Sequence, residues 1–217
     1  MSALQPAPLQ LAALLCSRLC HDLISPVGAI GNGLEVLRDE DDAEMRAHAL
    51  TLIEASAHQA SARLQFARIA FGAAGSAGAE IELGDALALT QNILARGKVS
   101  LDWKLANKLV PKDLVKLLLN LVLISIDCIP RGGVLVVHDE GAADTLYRIE
   151  ARGAKARLGA DVKEALFTPL ALETLDSRQI QPAFTRLIGE ALKLAIAADE
   201  SEEAITFTLG RQAAAAA

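Results

Sequence analysis

The chain has 217 residues, 52% of them hydrophobic, which excludes a disordered polymer and leaves room for two small domains or one large one. Only 3% are aromatic, so the core must be filled by alanine, leucine, isoleucine and valine, and close-packed helices are the default expectation. A net charge of −6 with no lysine or arginine cluster excludes a nucleic-acid groove.

The apolar stretch from Leu9 to Leu15 lacks the basic leader of a secretory signal and is soon interrupted by Arg18, His21 and Asp22. No apolar run approaches the roughly 18 uninterrupted residues that a bilayer requires. A cytoplasmic protein without a membrane-spanning role is therefore expected. Wound at 100° per residue, the segment from about Leu15 to Leu37 gathers Cys16, Leu19, Leu23, Val27, Ile30, Leu34 and Leu37 into one stripe. His21 lies nearly opposite, on a polar side shared with Ser17, Arg18, Ser25, Asn32 and Glu35, with Asp22 as its immediate neighbour. A histidine so placed meets something outside the molecule.

Pro26 removes a backbone hydrogen bond inside this helix and predicts a kink just below the histidine. Gly28, Gly31 and Gly33 each cost about 1 kcal/mol against alanine in a helix, and close approach by a partner accounts for them. Cys16 and Cys20, one turn apart and followed by His21, admit a metal or haem reading, but no second ligand cluster exists and three cysteines make no disulfide framework. Small apolar packing residues are the better account of both.

The acidic turn Asp39-Glu40-Asp41-Asp42 predicts a cap for a second helix, in which Ala49, Leu52, Ile53, Ala57, Ala60, Leu64, Ala67 and Phe71 share a face. Two antiparallel helices with one stripe each cannot bury both stripes alone. Pairing with a second copy into a four-helix bundle is the physical default.

Small residues from Gly72 to Gly78 read as a hinge between domains, placing a helical hairpin at 1–76, an α/β unit at 77–211 and a loose tail at 212–217. The second unit predicts a helix at Ala86–Leu94, a strand at Val99–Trp103, and an apolar helix at Lys112–Ile129 opened by Pro111. Strands follow at Val134–His138 and Leu146–Ala151, then helices near Ala160–Leu166 and Ile180–Ile196, and a last strand at Ala204–Leu209.

His21-Asp22-x-x-Ser25-Pro26 on a long helix, followed by a second long helix, resembles the phosphoacceptor hairpin of sensor histidine kinases. The sequence Arg18-Leu19-Cys20-His21-Asp22, the run from Leu64 to Ala73, and Ile129-Pro130-Arg131-Gly132-Gly133 are together more similar to the ChpT-type histidine phosphotransferases of alphaproteobacteria. The resemblance spans residues from about 12 to 210. It implies an α+β fold: a long antiparallel helical hairpin forming a dimeric four-helix bundle, then a degenerate histidine-kinase ATPase-like α/β sandwich. Kinases of this class place two asparagines four apart before a Pro-x-Gly-Gly turn, and Asn120 fits the first while Ile124 occupies the second. Their Asp-x-Gly-x-Gly box falls here at Ala151 to Lys155, where only Gly153 survives, and no glycine lies between Gly159 and Gly189 to form a phosphate-cradling lid. An aliphatic side chain cannot coordinate Mg²⁺. A kinase-shaped domain that binds no ATP is expected.

The resemblance thus implies a phosphotransferase with no cofactor of its own, in which His21 accepts a phosphoryl group from a receiver-domain aspartate, the receiver bringing its own Mg²⁺. Imidazole suits that step, because free histidine titrates near pH 6.5 and offers a nucleophilic ring nitrogen. Asp22 is expected to hydrogen-bond the second ring nitrogen, unless it is a solvated or capping carboxylate, and Ser25 either meets the phosphoryl group or is a plain surface serine. Receivers are expected to dock below His21 on Arg18, Gly28 and Asn32, with Arg63 and Arg68 of the second helix. The implied partners are the receiver of a CckA-like hybrid kinase and regulators of the CtrA and CpdR type. A non-catalytic adaptor and an ATP-using kinase core remain as alternatives.

Overall fold

A helical hairpin opens the chain: α1 (Ala7–Asp39) turns through residues 40–42 into α2 (Ala43–Ala70) in a computed structural model that describes residues 7–72, 79–139 and 145–211. The Asp42 carboxylate caps α2 by accepting from the Glu44 backbone N–H at 2.9 Å, as the acidic turn predicts. α1 begins eight residues before the predicted start and runs unbroken through Pro26, which is buried.

The face that α1 gives to α2 departs in part from the predicted stripe, of which Leu19, Leu23, Ile30 and Leu37 are half-buried. Leu15, Arg18, Asp22, Pro26, Ala29, Gly33 and Val36 are buried or half-buried, whereas Cys16, Val27 and Leu34 are exposed, the last two by 56% and 50%. On α2, Ala49, Ser56, Ala60, Ala67 and Ala70 turn inward while Leu52, Ala57 and Leu64 stay out. Small residues win the intrachain contact because they let the two backbones approach closely. A Cβ on Gly33 would stand 2.6 Å from Ile53 Cγ1 and 3.3 Å from the Ala49 carbonyl oxygen. The close approach that the glycines predict is therefore made, at Gly33, by the chain's own second helix; a Cβ on Gly28 or Gly31 meets nothing within 4 Å.

By length and composition α1 is apolar enough to cross a bilayer, with a mean hydropathy of 1.2, a property that reading for uninterrupted apolar runs missed. Here it lies lengthwise along α2.

The second unit comprises β1 (Glu80–Glu82), α3 (Leu83–Leu94), β2 (Val99–Trp103), β3 (Leu109–Pro111), α4 (Lys112–Asp127), β4 (Gly133–His138), β5 (Thr145–Arg152), α5 (Ala160–Phe167), α6 (Ile180–Ala191), β6 (Leu194–Glu200) and β7 (Ala204–Arg211). Five strands form one mixed sheet in the order β2-β4-β5-β7-β6, parallel only between β2 and β4. β1 and β3 pair separately as a short antiparallel ribbon. The mixed sheet alternates strictly along β5 and β7, burying Tyr147, Ile149 and Ala151 and then Ile205, Phe207 and Leu209 under the helices. α4 runs through the middle of that core, with Leu117, Leu118, Leu119, Leu121 and Val122 fully buried.

One predicted helix is corrected. The chain leaves α6 at Ala191, passes Lys193 with φ +55°, and returns as strand β6, although a helix was expected to continue to Ile196. Leu194, Ile196 and Ala198 are half-buried and Ala195 and Ala197 exposed, a period of two that alanine at both outer positions hid.

The hairpin and the sheet layer share their core. Phe66 and Ala70 at the foot of α2 belong to the same buried cluster as Leu83, Leu117 and Phe207. Near the start of α1, Leu11, Leu14 and Leu15 pack on Ala165, Leu175, Ile180 and Ala183. The domain boundary expected after residue 76 and the tail at 212–217 lie outside the described residues.

Candidate functional site

His21 stands on the side of α1 that neither α2 nor the apolar stripe uses, with 74% of its side chain exposed. Ser25, Gly28 and Asn32 follow it at spacings of four, three and four, which keeps all of them on one strip, and all are exposed. Behind this strip lies Asp22, half-buried between the helices. Its Oδ1 is 3.4 Å from His21 Nδ1, and its Oδ2 accepts from Arg18 Nε at 3.0 Å. Arg63 reaches across from α2 and donates to the Asp22 backbone carbonyl. Arg18 continues outward to donate to the Ser177 carbonyl at 3.3 Å, in the loop before α6.

That arrangement has a chemical consequence. In the tautomer that donates from Nδ1 to the Asp22 carboxylate, Nε2 keeps its lone pair on a ring that is largely exposed. Arg18 holds the Asp22 carboxylate, and Arg63 holds the backbone carbonyl of the same residue. Arg18 and Arg63, both half-buried, are thus engaged with Asp22 in the seam between the two helices. Arg68, five residues beyond Arg63 and exposed, comes round on the side of Leu64 and is not brought to this group. Cys16 and Cys20 are exposed rather than packed, and among the described residues no group of three or more His, Cys, Asp or Glu could hold a metal ion.

Two features near the site went unread in the sequence. Asp127, the last residue of α4, has its carboxyl pKa raised above the ordinary value, chiefly by the protein mass around it; Arg18 and Arg63 oppose the rise and Asp22 adds to it. The only sequence signal was an acidic residue at a helix C-terminus, where the macrodipole disfavours one. A cleft of about 570 Å³ also opens between α2 and the end of α3, lined among others by His58, Gln59, Arg63, Asn92 and Arg96 and by no acidic residue.

The positions at which a nucleotide would be held in a kinase are core positions here. Asn120 is fully buried and its amide is committed: Nδ2 donates to the Ala70 carbonyl at 2.8 Å and the Lys116 carbonyl at 2.9 Å, while Oδ1 accepts from Gln181 Nε2 at 3.0 Å. Ile124 and Ala151, where a magnesium ligand and an adenine-reading carboxylate would stand, are 2% and 0% exposed. None of these three positions offers a carboxylate or an uncommitted amide.

Comparison with known proteins meets the same assignment from outside. A family model described as the histidine phosphotransferase C-terminal domain matches residues 83–204. The chain is 45% identical over 205 residues to the protein phosphotransferase ChpT of Brucella abortus (strain 2308), covering 92% of this chain and 95% of that one. A solved structure titled as a bacterial phosphotransferase superposes with a TM-score of 0.83 at 41% identity, over 95% of this chain and 98% of that one. With an exposed, carboxylate-oriented histidine on a helical hairpin and likeness to phosphotransferases along nearly its whole length, this chain belongs to the ChpT-type histidine phosphotransferases.

Proposed function

We propose that this phosphotransferase is an ATP-independent relay, in which His21 takes a phosphoryl group from the receiver aspartate of a CckA-like hybrid kinase and passes it to receivers of the CtrA and CpdR type. The observation that carries the reading is the placement of His21: Nδ1 lies 3.4 Å from the Asp22 carboxylate on a side chain that is largely exposed. In the charging step Nε2 attacks the phosphorus of the aspartyl phosphate in line with its P–O bond. The N–P bond forms, the P–O bond breaks, and the electron pair leaves on the receiver's carboxylate. The ring now carries positive charge, which the Asp22 carboxylate stabilises through Nδ1–H. Discharge is the reverse step onto a second receiver. The receiver supplies its own aspartate and Mg²⁺, so this chain needs no cofactor.

The strip of Ser25, Gly28 and Asn32 leaves room for such a partner, since nothing lies within 4 Å of a Cβ built on Gly28. Ser25 stands one turn beyond His21, within reach of a phosphoryl group there. The buried, hydrogen-bonded Asn120 and the aliphatic Ile124 and Ala151 support a domain that binds no ATP. Homodimerisation is supported by Val27 and Leu34 of α1 and Leu50 and Leu64 of α2, each about half exposed and, by helical period, on one side of the hairpin away from His21. Partners of this kind place the protein in the cytoplasm.

The test is transfer of label. The protein acquires labelled phosphate when mixed with a charged CtrA-type or CckA-type receiver, and His21→Ala abolishes it. Labelling by ATP alone would overturn the relay.

A further inference from the structure

Two turns of α2 and the end of α3 enclose a cleft of about 570 Å³ that the transfer does not use, a volume within the range of small-molecule pockets. Its walls reverse the charge of the chain. Acidic residues outnumber lysine and arginine by 27 to 21 over the whole sequence, yet among the described residues the cleft is lined by Arg63, Arg96 and His58 and by no carboxylate. Neither arginine forms an ion pair with an acidic side chain among those residues. A guanidinium is charged at every physiological pH, and its planar fork matches the oxygens of a phosphate. Gln59 and Asn92 add amides that can donate to the same oxygens, and Ile93 adds an apolar wall. The carbonyl end of α3 opposes an anion here with a partial charge only, and the Gly97 N–H already covers the Leu94 carbonyl at 2.8 Å. Two full positive charges outweigh it.

We propose that this cleft binds a small phosphate-bearing molecule, gripped between Arg63 of α2 and Arg96 just past the end of α3. Occupancy of the cleft bears on the phosphoacceptor, because the Arg63 guanidinium also donates to the Asp22 carbonyl, one residue from His21. A phosphate that draws on Arg63 loosens that bond and with it the seam in which Asp22 is held. This consequence rests on the relay reading; the site itself does not.

The test is calorimetric titration of the whole protein with inorganic pyrophosphate and, separately, with adenosine 5′-monophosphate. At least one of them should saturate the protein and bind more weakly in high salt, because the charges are partly exposed. Tighter binding of the monophosphate assigns the cleft to a nucleotide, and tighter binding of pyrophosphate assigns it to a free polyphosphate; either supports the site. Arg96→Gln should weaken binding roughly tenfold. Lys108→Gln, which removes the same charge beside the start of α3, should leave it unchanged, with circular dichroism showing that both variants fold. Absence of saturation in the millimolar range, or equal weakening by both variants, overturns the site. Protein saturated with the tighter ligand should take label from a charged receiver severalfold more slowly at the same free Mg²⁺, and Arg96→Gln should remove the difference. Binding without slowing overturns the link through Arg63. If wild-type protein takes no label at all, the relay reading falls while calorimetry still decides the site.

Discussion

Asn120→Ala tests whether a residue at a nucleotide-binding position now serves as a structural clamp. In the native protein Asn120 is fully buried, and its Nδ2 bridges the last turn of α2, at the Ala70 carbonyl, to the body of α4. Truncation leaves the Lys116 carbonyl within its helix, and Gln181 Nε2 keeps the Asn120 carbonyl at 2.9 Å. The Ala70 carbonyl loses its side-chain donor. An orphaned buried acceptor costs about 1 to 3 kcal/mol, and the small cavity adds about 1 kcal/mol, giving roughly 2 to 4 kcal/mol. Urea unfolding followed by circular dichroism would show a lowered midpoint with an unchanged slope. Asn120→Asp, which cannot donate and brings a buried charge, should cost at least as much. Phosphotransfer per folded molecule should stay near wild type for Asn120→Ala. A loss of stability below about 1 kcal/mol would refute the clamp, as would full stability combined with lost transfer.

Asp22→Asn should slow charging of His21 on the order of tenfold to a hundredfold without moving the unfolding midpoint by much, checked by rapid-quench transfer from a charged receiver. Val27→Glu and Leu34→Glu together should convert a dimer to monomers while leaving the helical content intact, measured by light scattering and circular dichroism; a monomeric wild type would remove the bundle. Partial burial pushes the Glu150 carboxyl up, but hydrogen bonds and charge from Arg152 and His138 outweigh it and hold its pKa below the ordinary value of 4.5. A lowered folded-state pKa gives stability that is present above pH 4.5 and lost as pH falls through the shifted value. Urea midpoints of wild type and Glu150→Gln should therefore differ most above that pH and converge below it. Burial pushes the Cys128 thiol up to about 12, with Asp127 and Glu200 adding to the shift, so at pH 8 it should resist alkylation until the protein unfolds, whereas exposed Cys20 reacts; mass spectrometry of labelled peptides decides.

The parts of this molecule that were legible in sequence are those with one dominant period. Lys112 to Asp127, Val99 to Trp103 and the strands ending at Leu209 declare themselves through unbroken apolar runs or strict alternation. Leu194 to Glu200 did not, because alanine fits a helix stripe and a strand face equally well, and the break depends on one left-handed residue, Lys193. The three-residue strands β1 and β3 carry too few positions for any period. At the site, His21 and Asp22 could be read because they adjoin in sequence. Arg63 and Ser177 could not: they reach Asp22 or Arg18 only after the chain has folded back on itself.

The misread stripe of α1 holds the larger lesson about how this fold works. A helix has roughly 360° to distribute, and α1 spends it on three contacts rather than two. Arg18, Asp22, Pro26 and Gly33 meet α2; Cys16, Val27 and Leu34 lie about 120° away, exposed and apolar; His21, Ser25 and Asn32 take the remainder. Reading hydrophobicity alone selects the second face. The polar residues Arg18 and Asp22 then look like surface groups. Their half-burial suits the proposed transfer, because Arg18 holds the Asp22 carboxylate in the seam between two helices while the His21 ring stays in solvent. The proposed transfer needs an imidazole held at Nδ1 and open at Nε2, and a three-faced helix meets both conditions at one position.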